Sequence, residues 1–121
     1  MPGMRAFSLA LAWLVAVALA ACAPAGLTSA ATLRAADGVA VHGSFHAATD
    51  PRAVVLLFHQ AGSSKGEYAT IAPRLAAAGY ESLAIDQRSG GDLFGRNETA
   101  AALGREAGYL EAERDLEAAL A

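Results

Sequence analysis

The stretch AVVLLFHQAGSSKG, residues 53–66, decides how the rest of the chain is interpreted. Its first six residues, Ala53–Phe58, are apolar at every position, and a strand without a polar face must be covered on both sides. We therefore predict an interior strand of a parallel sheet. The apolar run ends at His59, and the glycines and small polar residues that follow predict a loop.

The residues after this loop predict a helix and a second strand. Apolar residues recur there at helical spacing and form one stripe: Tyr68, Ile71, Ala72, Leu75 and Ala76. Pro73 is suited to the first turn of such a helix, and Gly79 to its end. The segment Tyr80–Ile85 then has the composition of a strand. Strand, helix and strand joined by short loops predict a βαβ unit with parallel strands.

Further elements are predicted on both sides of this unit. An Asp37-Gly38 turn between the extended segments Thr32–Ala36 and Val39–Phe45 predicts an antiparallel hairpin. Residues 87–99 predict a loop, and residues 109–121 a helix with a stripe formed by Ala112, Leu116, Ala119 and Leu120. The predicted fold class is α/β, with an antiparallel hairpin leading into a parallel βαβ sheet.

The beginning of the chain has the layout of an export signal. Arg5 is its only charge, the segment Ala6–Ala21 is apolar, and small residues precede Cys22. Residues 19–22, Leu-Ala-Ala-Cys, resemble the bacterial lipoprotein box, whose cysteine becomes the lipid-bearing first residue. A secretory signal that is discarded whole and a retained anchor helix are the alternatives.

The expected location is the bacterial cell envelope, lipid-anchored at Cys22 or periplasmic, or the exterior as a secreted protein. The predicted organisation is a signal peptide, a linker and a domain: residues 1–22, 23–31 and 32–121.

Composition excludes several classes of function. The net charge is −3 and the charges are scattered, whereas a nucleic-acid-binding protein needs a basic face. The single cysteine cannot form an intramolecular disulfide. His42 and His46 would lie about 13 Å apart on a strand and lack a third ligand, so we predict no metal. The glycine-rich loop lacks the spacing of nucleotide-binding motifs, so we predict no cofactor and rank a nucleotide-binding βαβ protein last.

The order of these features resembles the N-terminal half of the α/β-hydrolase superfamily, and within it the dienelactone-hydrolase-like and serine-aminopeptidase-like groups. The features are a hairpin, an apolar strand ending in His-x-x-Gly-Ser-Ser, a helix ending at Gly-Tyr, and a strand ending in Asp-x-Arg-x-Gly. The resemblance covers residues 32–121. It implies a serine hydrolase that acts on a small ester, lactone or peptide substrate. It also implies a chain truncated before the strand that carries the nucleophile, and therefore inactive alone.

The resemblance assigns roles to the loops after the two parallel strands. The loop after the first strand would donate a backbone N–H to the oxyanion hole. The donor is Gln60 or Ala61, because Gln60 stands where the family has glycine and the register is open by one residue. The supporting residues of this site are His59, Gly62, Ser63, Asp86 and Arg88. The acid and the arginine are expected to pin their loop as a charged pair, and the histidine is expected to be structural.

The motif G-S-S-K-G also matches the G-x-S-x-G pattern of serine nucleophiles, with Ser64 at its centre. In that fold the triad acid and histidine follow the serine along the chain, whereas all three histidines here precede Ser64. We therefore expect Ser63 and Ser64 to cap the next helix or close the loop. The alternative to a hydrolase is a non-catalytic envelope lipoprotein that uses a hydrolase-like half-domain for binding.

Overall fold

A computed structural model describes residues 26–121 of the chain. The predicted signal peptide, Cys22 and the first residues of the predicted linker lie outside the described residues. The strands are β1 (Thr28–Arg34), β2 (Ala40–His46), β3 (Ala53–Phe58) and β4 (Tyr80–Ile85). The helices are a 3₁₀ helix (Lys65–Tyr68), α1 (Ala72–Ala77), α2 (Glu98–Leu103) and α3 (Tyr109–Leu120).

The four strands form one mixed sheet in the order β1-β2-β4-β3. β1 and β2 are antiparallel, β2 and β4 are antiparallel, and β3 and β4 are parallel. The hairpin turns at Asp37-Gly38, where Gly38 has a φ of 86°, a conformation that glycine adopts without strain. The predicted α/β class, the hairpin and the parallel βαβ unit are confirmed.

The first strand begins earlier than the sequence pattern indicated. Thr28–Ala31 were assigned to the linker, but all four residues pair with β2, from Thr28 opposite His46 to Ala31 opposite Gly43. The segment is made of small residues with no alternation of apolar and polar side chains. Its strand conformation is therefore set by pairing with β2 and not by its own sequence pattern.

The position of β3 also differs from the prediction. Among the described residues it pairs with β4 alone and lies at the edge of the sheet. Val54 is 54% exposed, although an interior strand was predicted. The apolar sequence of β3 is typical of a strand with a neighbouring strand at each edge, but the described residues provide such a neighbour, β4, at one edge only.

The predicted helix after the glycine loop is split in two. A 3₁₀ helix ends at Tyr68, and α1 begins only at Ala72, with Pro73 in its first turn as predicted. Gly79 follows α1 with a φ of 86°, also as predicted. Ile71 is 43% exposed and does not belong to a buried stripe, because the break between the two helices turns it outward.

The second half of the chain contains one helix that was not predicted and one that was. α2 was not recognised, because its first two residues were assigned to the loop and its six residues are too few to show a helical period. α3 matches the prediction in position, but its buried face contains Asp115 beside Ala112, whereas Leu120 is 73% exposed. Within residues 26–121, no helix has the length and apolarity needed to cross a membrane.

Candidate functional site

The loops that follow β3 and β4 lie against each other at one end of the sheet. This arrangement follows from the parallel pairing of the two strands, whose carboxyl ends meet at the same edge. The Gly91 N–H donates to the Ser63 carbonyl at 2.9 Å, and the Leu93 N–H donates to the Gly62 carbonyl at 3.2 Å. We call this pair of loops the rim.

His59 is held at the junction of the two loops. It is 6% exposed, its Nδ1 donates to the Gln60 carbonyl at 2.9 Å, and its Nε2 accepts from the Gln87 N–H at 2.9 Å. The backbone therefore engages both ring nitrogens, and neither is available to accept a proton from a serine. A Cβ on Gly90 would lie 2.4 Å from both the His59 ring and the Ser63 carbonyl oxygen, so only glycine allows this approach.

The residues after His59 form a tight turn. The Ser63 N–H donates to the Gln60 carbonyl at 3.2 Å, and Gly62 has a φ of 72°. Asp50 is the one non-glycine residue with positive φ among residues 26–121, so φ of Ala61 is negative. Negative φ followed by positive φ defines a type II turn with Ala61 in its second position. Ala61 is exposed at the tip of the turn.

The two candidate donors differ in their hydrogen bonding. The Gln60 N–H donates to Oε2 of Glu67 at 3.1 Å. The Ala61 N–H has no acceptor among the described residues. Of the two amides, the Ala61 N–H is therefore the one without an acceptor among the described residues.

Ser64 does not have the geometry of a nucleophile. It is 1% exposed, its backbone is extended with φ −141° and ψ 175°, and its Oγ accepts from the Gly66 N–H at 3.3 Å. It is the N-cap of the 3₁₀ helix. The neighbouring Ser63 is fully buried, and its Oγ lies 3.5 Å from the Ser64 carbonyl oxygen. Among the described residues no histidine donates to or accepts from either hydroxyl.

Asp86 does not pair with Arg88, contrary to the expected charged pair. The Asp86 carboxylate is fully buried and accepts from the Lys65 N–H at 2.7 Å, the Lys65 Nζ at 2.8 Å and the Glu98 N–H at 2.8 Å. Burial alone would lower the pKa of Lys65, but its hydrogen bonds to Asp86 and Glu98 raise it. Asp86 thereby ties the glycine loop to the beginning of α2.

Arg88 is bound instead by two acids that are distant in sequence. It is 1% exposed and donates to Asp115 through Nε at 2.9 Å, Nη2 at 2.6 Å and its backbone N–H at 2.8 Å. Its guanidinium also donates to Asp37 in the hairpin turn. The hydrogen bonds to Asp37 and Asp115 raise the pKa of Arg88. The hydrogen bond from Arg88 in turn lowers the pKa of Asp37 to about 2. Arg88 therefore joins the rim to the hairpin and to α3.

Asn97 is a supporting residue that the sequence reasoning missed. Its side chain is 1% exposed, and Nδ2 donates to the Gln87 carbonyl at 2.9 Å and lies 3.4 Å from the Ser63 carbonyl oxygen. Its Oδ1 caps α2 by accepting from the Ala100 N–H at 2.8 Å. The signal was present in the sequence, since asparagine before an alanine-rich segment is a typical N-cap.

The sequence also gave no indication of five charged residues that form hydrogen bonds with the residues of the rim: Asp37, Lys65, Glu67, Glu98 and Asp115. Within residues 26–121 no group of three potential metal ligands occurs.

No protein-family model and no curated protein sequence matches this chain. Among solved structures, the chain is similar to the Pyrococcus furiosus esterase PF2001, with a TM-score of 0.53 and 21% sequence identity. The similarity covers 78% of this chain and 33% of the esterase, so the chain spans about one third of the length of that protein. Together with the sheet order, this likeness shows that the described residues adopt a partial α/β-hydrolase-like fold.

Proposed function

We propose that this chain is the oxyanion-loop part of an exported serine hydrolase of the α/β-hydrolase type, which transfers the acyl group of a small ester, lactone or peptide to water. The observation that carries the proposal is the free Ala61 N–H at the tip of a type II turn, directly after a parallel strand. The fold that the chain shares with an esterase supports it.

In this proposal the Ala61 N–H donates to the oxygen that becomes negative when the substrate carbonyl is attacked. One prealigned donor of this kind lowers the barrier by about 3 kcal/mol. The nucleophile, histidine and acid of the triad are not among these 121 residues. The buried, capping Ser64 and the fully engaged His59 support this part of the proposal.

The cell-envelope location is part of the same proposal. Residues 1–22 contain the export signal, and Cys22 at its end becomes the first residue, whose lipid attaches the protein to the membrane. The support is the sequence pattern alone. We expect labelled palmitate to be incorporated into the expressed protein, and we expect the Cys22→Ser variant to remain unlabelled.

A first experiment tests the assignment of Ser64. The purified chain is expected to show no turnover of p-nitrophenyl acetate above the rate of Ser64→Ala, and no labelling of Ser64 by a fluorophosphonate probe. Turnover that disappears in Ser64→Ala would show that the serine is a nucleophile and would overturn the proposal.

A second experiment tests the donor. The genomic DNA after codon 121 is read first, because a continuing frame with a strand and G-x-S-x-G supplies the complete hydrolase. In that protein Ala61→Pro removes the N–H without disturbing the turn, since a type II turn accepts proline in its second position. We expect kcat to fall about 10²- to 10³-fold, whereas the control Ala61→Gly, which keeps the N–H, retains it.

Unchanged kcat in Ala61→Pro would refute the role of this amide. A stop codon directly after codon 121 would favour the non-catalytic binding lipoprotein.

A further inference from the structure

We propose that Glu67 is a positioning residue that selects the oxyanion donor: its carboxylate takes up the Gln60 N–H and leaves the Ala61 N–H as the donor of this loop. The inference rests on the proposed function, because it assigns a task to the loop only if an oxyanion is bound there. It explains why two consecutive amides at the tip of one turn are not equivalent.

Glu67 is fixed relative to the turn. Its backbone N–H donates to the Ser64 carbonyl at 3.1 Å, which holds it in the 3₁₀ helix. The next residue, Tyr68, donates its hydroxyl to the Phe58 carbonyl at the end of β3. The helix that carries the carboxylate is therefore attached to the strand that carries the turn, and the contact with Gln60 joins two residues that are seven positions apart.

The charge of Glu67 strengthens its hydrogen bond with the Gln60 N–H. Within residues 26–121 Glu67 forms no ion pair, and the nearby Lys65 is engaged by Asp86 and Glu98. A hydrogen bond to an ionised acceptor is stronger than one between neutral groups, so the Gln60 N–H stays engaged when substrate arrives. The substrate oxygen is therefore left with the Ala61 N–H.

The neighbouring groups prevent the turn from rotating to present the Gln60 N–H instead. The Gln60 carbonyl accepts from the Ser63 N–H and from Nδ1 of the buried His59. Gly62 lies against the backbone of Gly91, where an added Cβ would approach the Gly62 carbonyl oxygen to 2.8 Å. Gln60 is therefore held at both its N–H and its C=O, and because the peptide bond to Ala61 is trans, the Ala61 N–H points opposite to the engaged Gln60 carbonyl.

The test uses amide signals of the purified 121-residue chain in nuclear magnetic resonance spectra, and it requires no turnover. The wild-type chain is compared with Glu67→Ala, which removes the acceptor, and Glu67→Gln, which keeps an acceptor oxygen and removes the charge. Glu113→Gln, an exposed acid on α3, is the matched control.

In the wild type and in the control, the chemical shift of the Gln60 amide proton is expected to change when acid protonates the Glu67 carboxylate. In Glu67→Gln this pH response is expected to be absent. Hydrogen exchange of the Gln60 amide is expected to accelerate about tenfold in Glu67→Ala and to be largely restored in Glu67→Gln. Exchange at Ala61 is expected to be fast in all four proteins. If Glu67→Ala does not fold, the lost pH response of Glu67→Gln still decides.

Equal exchange of the Gln60 and Ala61 amides in the wild type, or an unchanged pH response of Gln60 in Glu67→Gln, would overturn the assignment. In the complete protein, Glu67→Ala is expected to lower kcat about tenfold with little change in KM, and Glu67→Gln to restore it. The two proposals fail in different ways. Unchanged kcat in Ala61→Pro would remove the oxyanion function, whereas a missing Gln60 signature would remove the role of Glu67 and leave Ala61 as donor.

Discussion

Replacing Asp115 by asparagine is expected to destabilise the fold strongly. Asp115 is fully buried and accepts three hydrogen bonds from Arg88, which is itself 1% exposed. Asparagine has nearly the same shape but no charge, so the guanidinium keeps Asp37 as its one counter-charge. Removing one partner of a buried ion pair costs about 3–5 kcal/mol, and because Asp37 still pairs with Arg88 we expect a loss at the lower end of that range, about 3 kcal/mol.

The free energy of unfolding of an ordinary domain is roughly 5–15 kcal/mol. A loss of this size is therefore a large part of the total stability. With a urea dependence of about 1.5 kcal/mol per molar, the unfolding midpoint of Asp115→Asn is expected to fall by about 2 M or more. Far-UV circular dichroism during urea titration at pH 7 measures the midpoint.

The matched control is Glu111→Gln on the same helix. It breaks the pair between Arg105 and Glu111, whose side chains are 54% and 36% exposed, and exposed pairs contribute little. The midpoint of the control is expected to change little. Equal shifts for Asp115→Asn and Glu111→Gln would refute the argument that burial makes the Arg88 pair important.

Three further substitutions test the charge of Asp37, the exposed edge of the sheet at β3 and the close packing at Gly90. Arg88 lowers the pKa of Asp37 from 3.8 to about 2, so the stability from this contact is complete above about pH 4 and is lost as pH falls towards 2. In urea titrations at different pH values, Asp37→Asn is expected to remove that part of the pH dependence. Val54→Lys on the exposed edge strand is expected to reduce concentration-dependent association measured by light scattering. Gly90→Ala is expected to cost about 1–3 kcal/mol by thermal unfolding, whereas Gly108→Ala, where a Cβ meets nothing within 4 Å, serves as its control.

The parts of the fold that could be predicted are those whose signal is local. The apolar run Ala53–Phe58, the helical stripe and Gly79 all lie within about thirty residues, and together they predict a βαβ unit. The Asp37-Gly38 turn predicts the hairpin in the same way. The beginning of β1 could not be predicted, because Thr28–Ala31 become a strand only through pairing with a segment up to 18 residues further along the chain.

The candidate site was predictable in location but not in contacts. Parallel strands end at one edge, so the loops at His59 and Asp86 had to lie near each other. The partners of Arg88 lie 27 and 51 residues away along the chain, and no period or motif connects them. Asp115 was not part of the predicted stripe of α3, because its burial depends on a partner, Arg88, that the helix does not contain.

The difference between the Gln60 and Ala61 amides could be seen only in the structure. Both amides precede Gly62 in a loop whose sequence allows either register. The difference is made by one hydrogen bond from Gln60 to Glu67, and it depends on how the 3₁₀ helix is placed against β3. Sequence spacing does not contain that placement.

The way in which the rim is stabilised bears on what it can do. The buried apolar cluster of the described residues is small and consists of Ala35, Val41 and Ile85. Many of the largest fully buried side chains are polar instead: Arg88, Asn97, Asp86 and Asp115. Apolar contacts tolerate sliding, whereas a buried polar group is costly unless its partners stand at the right distance and angle. A rim held by such groups has few alternative arrangements of similar free energy, and an oxyanion donor requires this property because it stabilises the transition state only while it is held close to the oxygen.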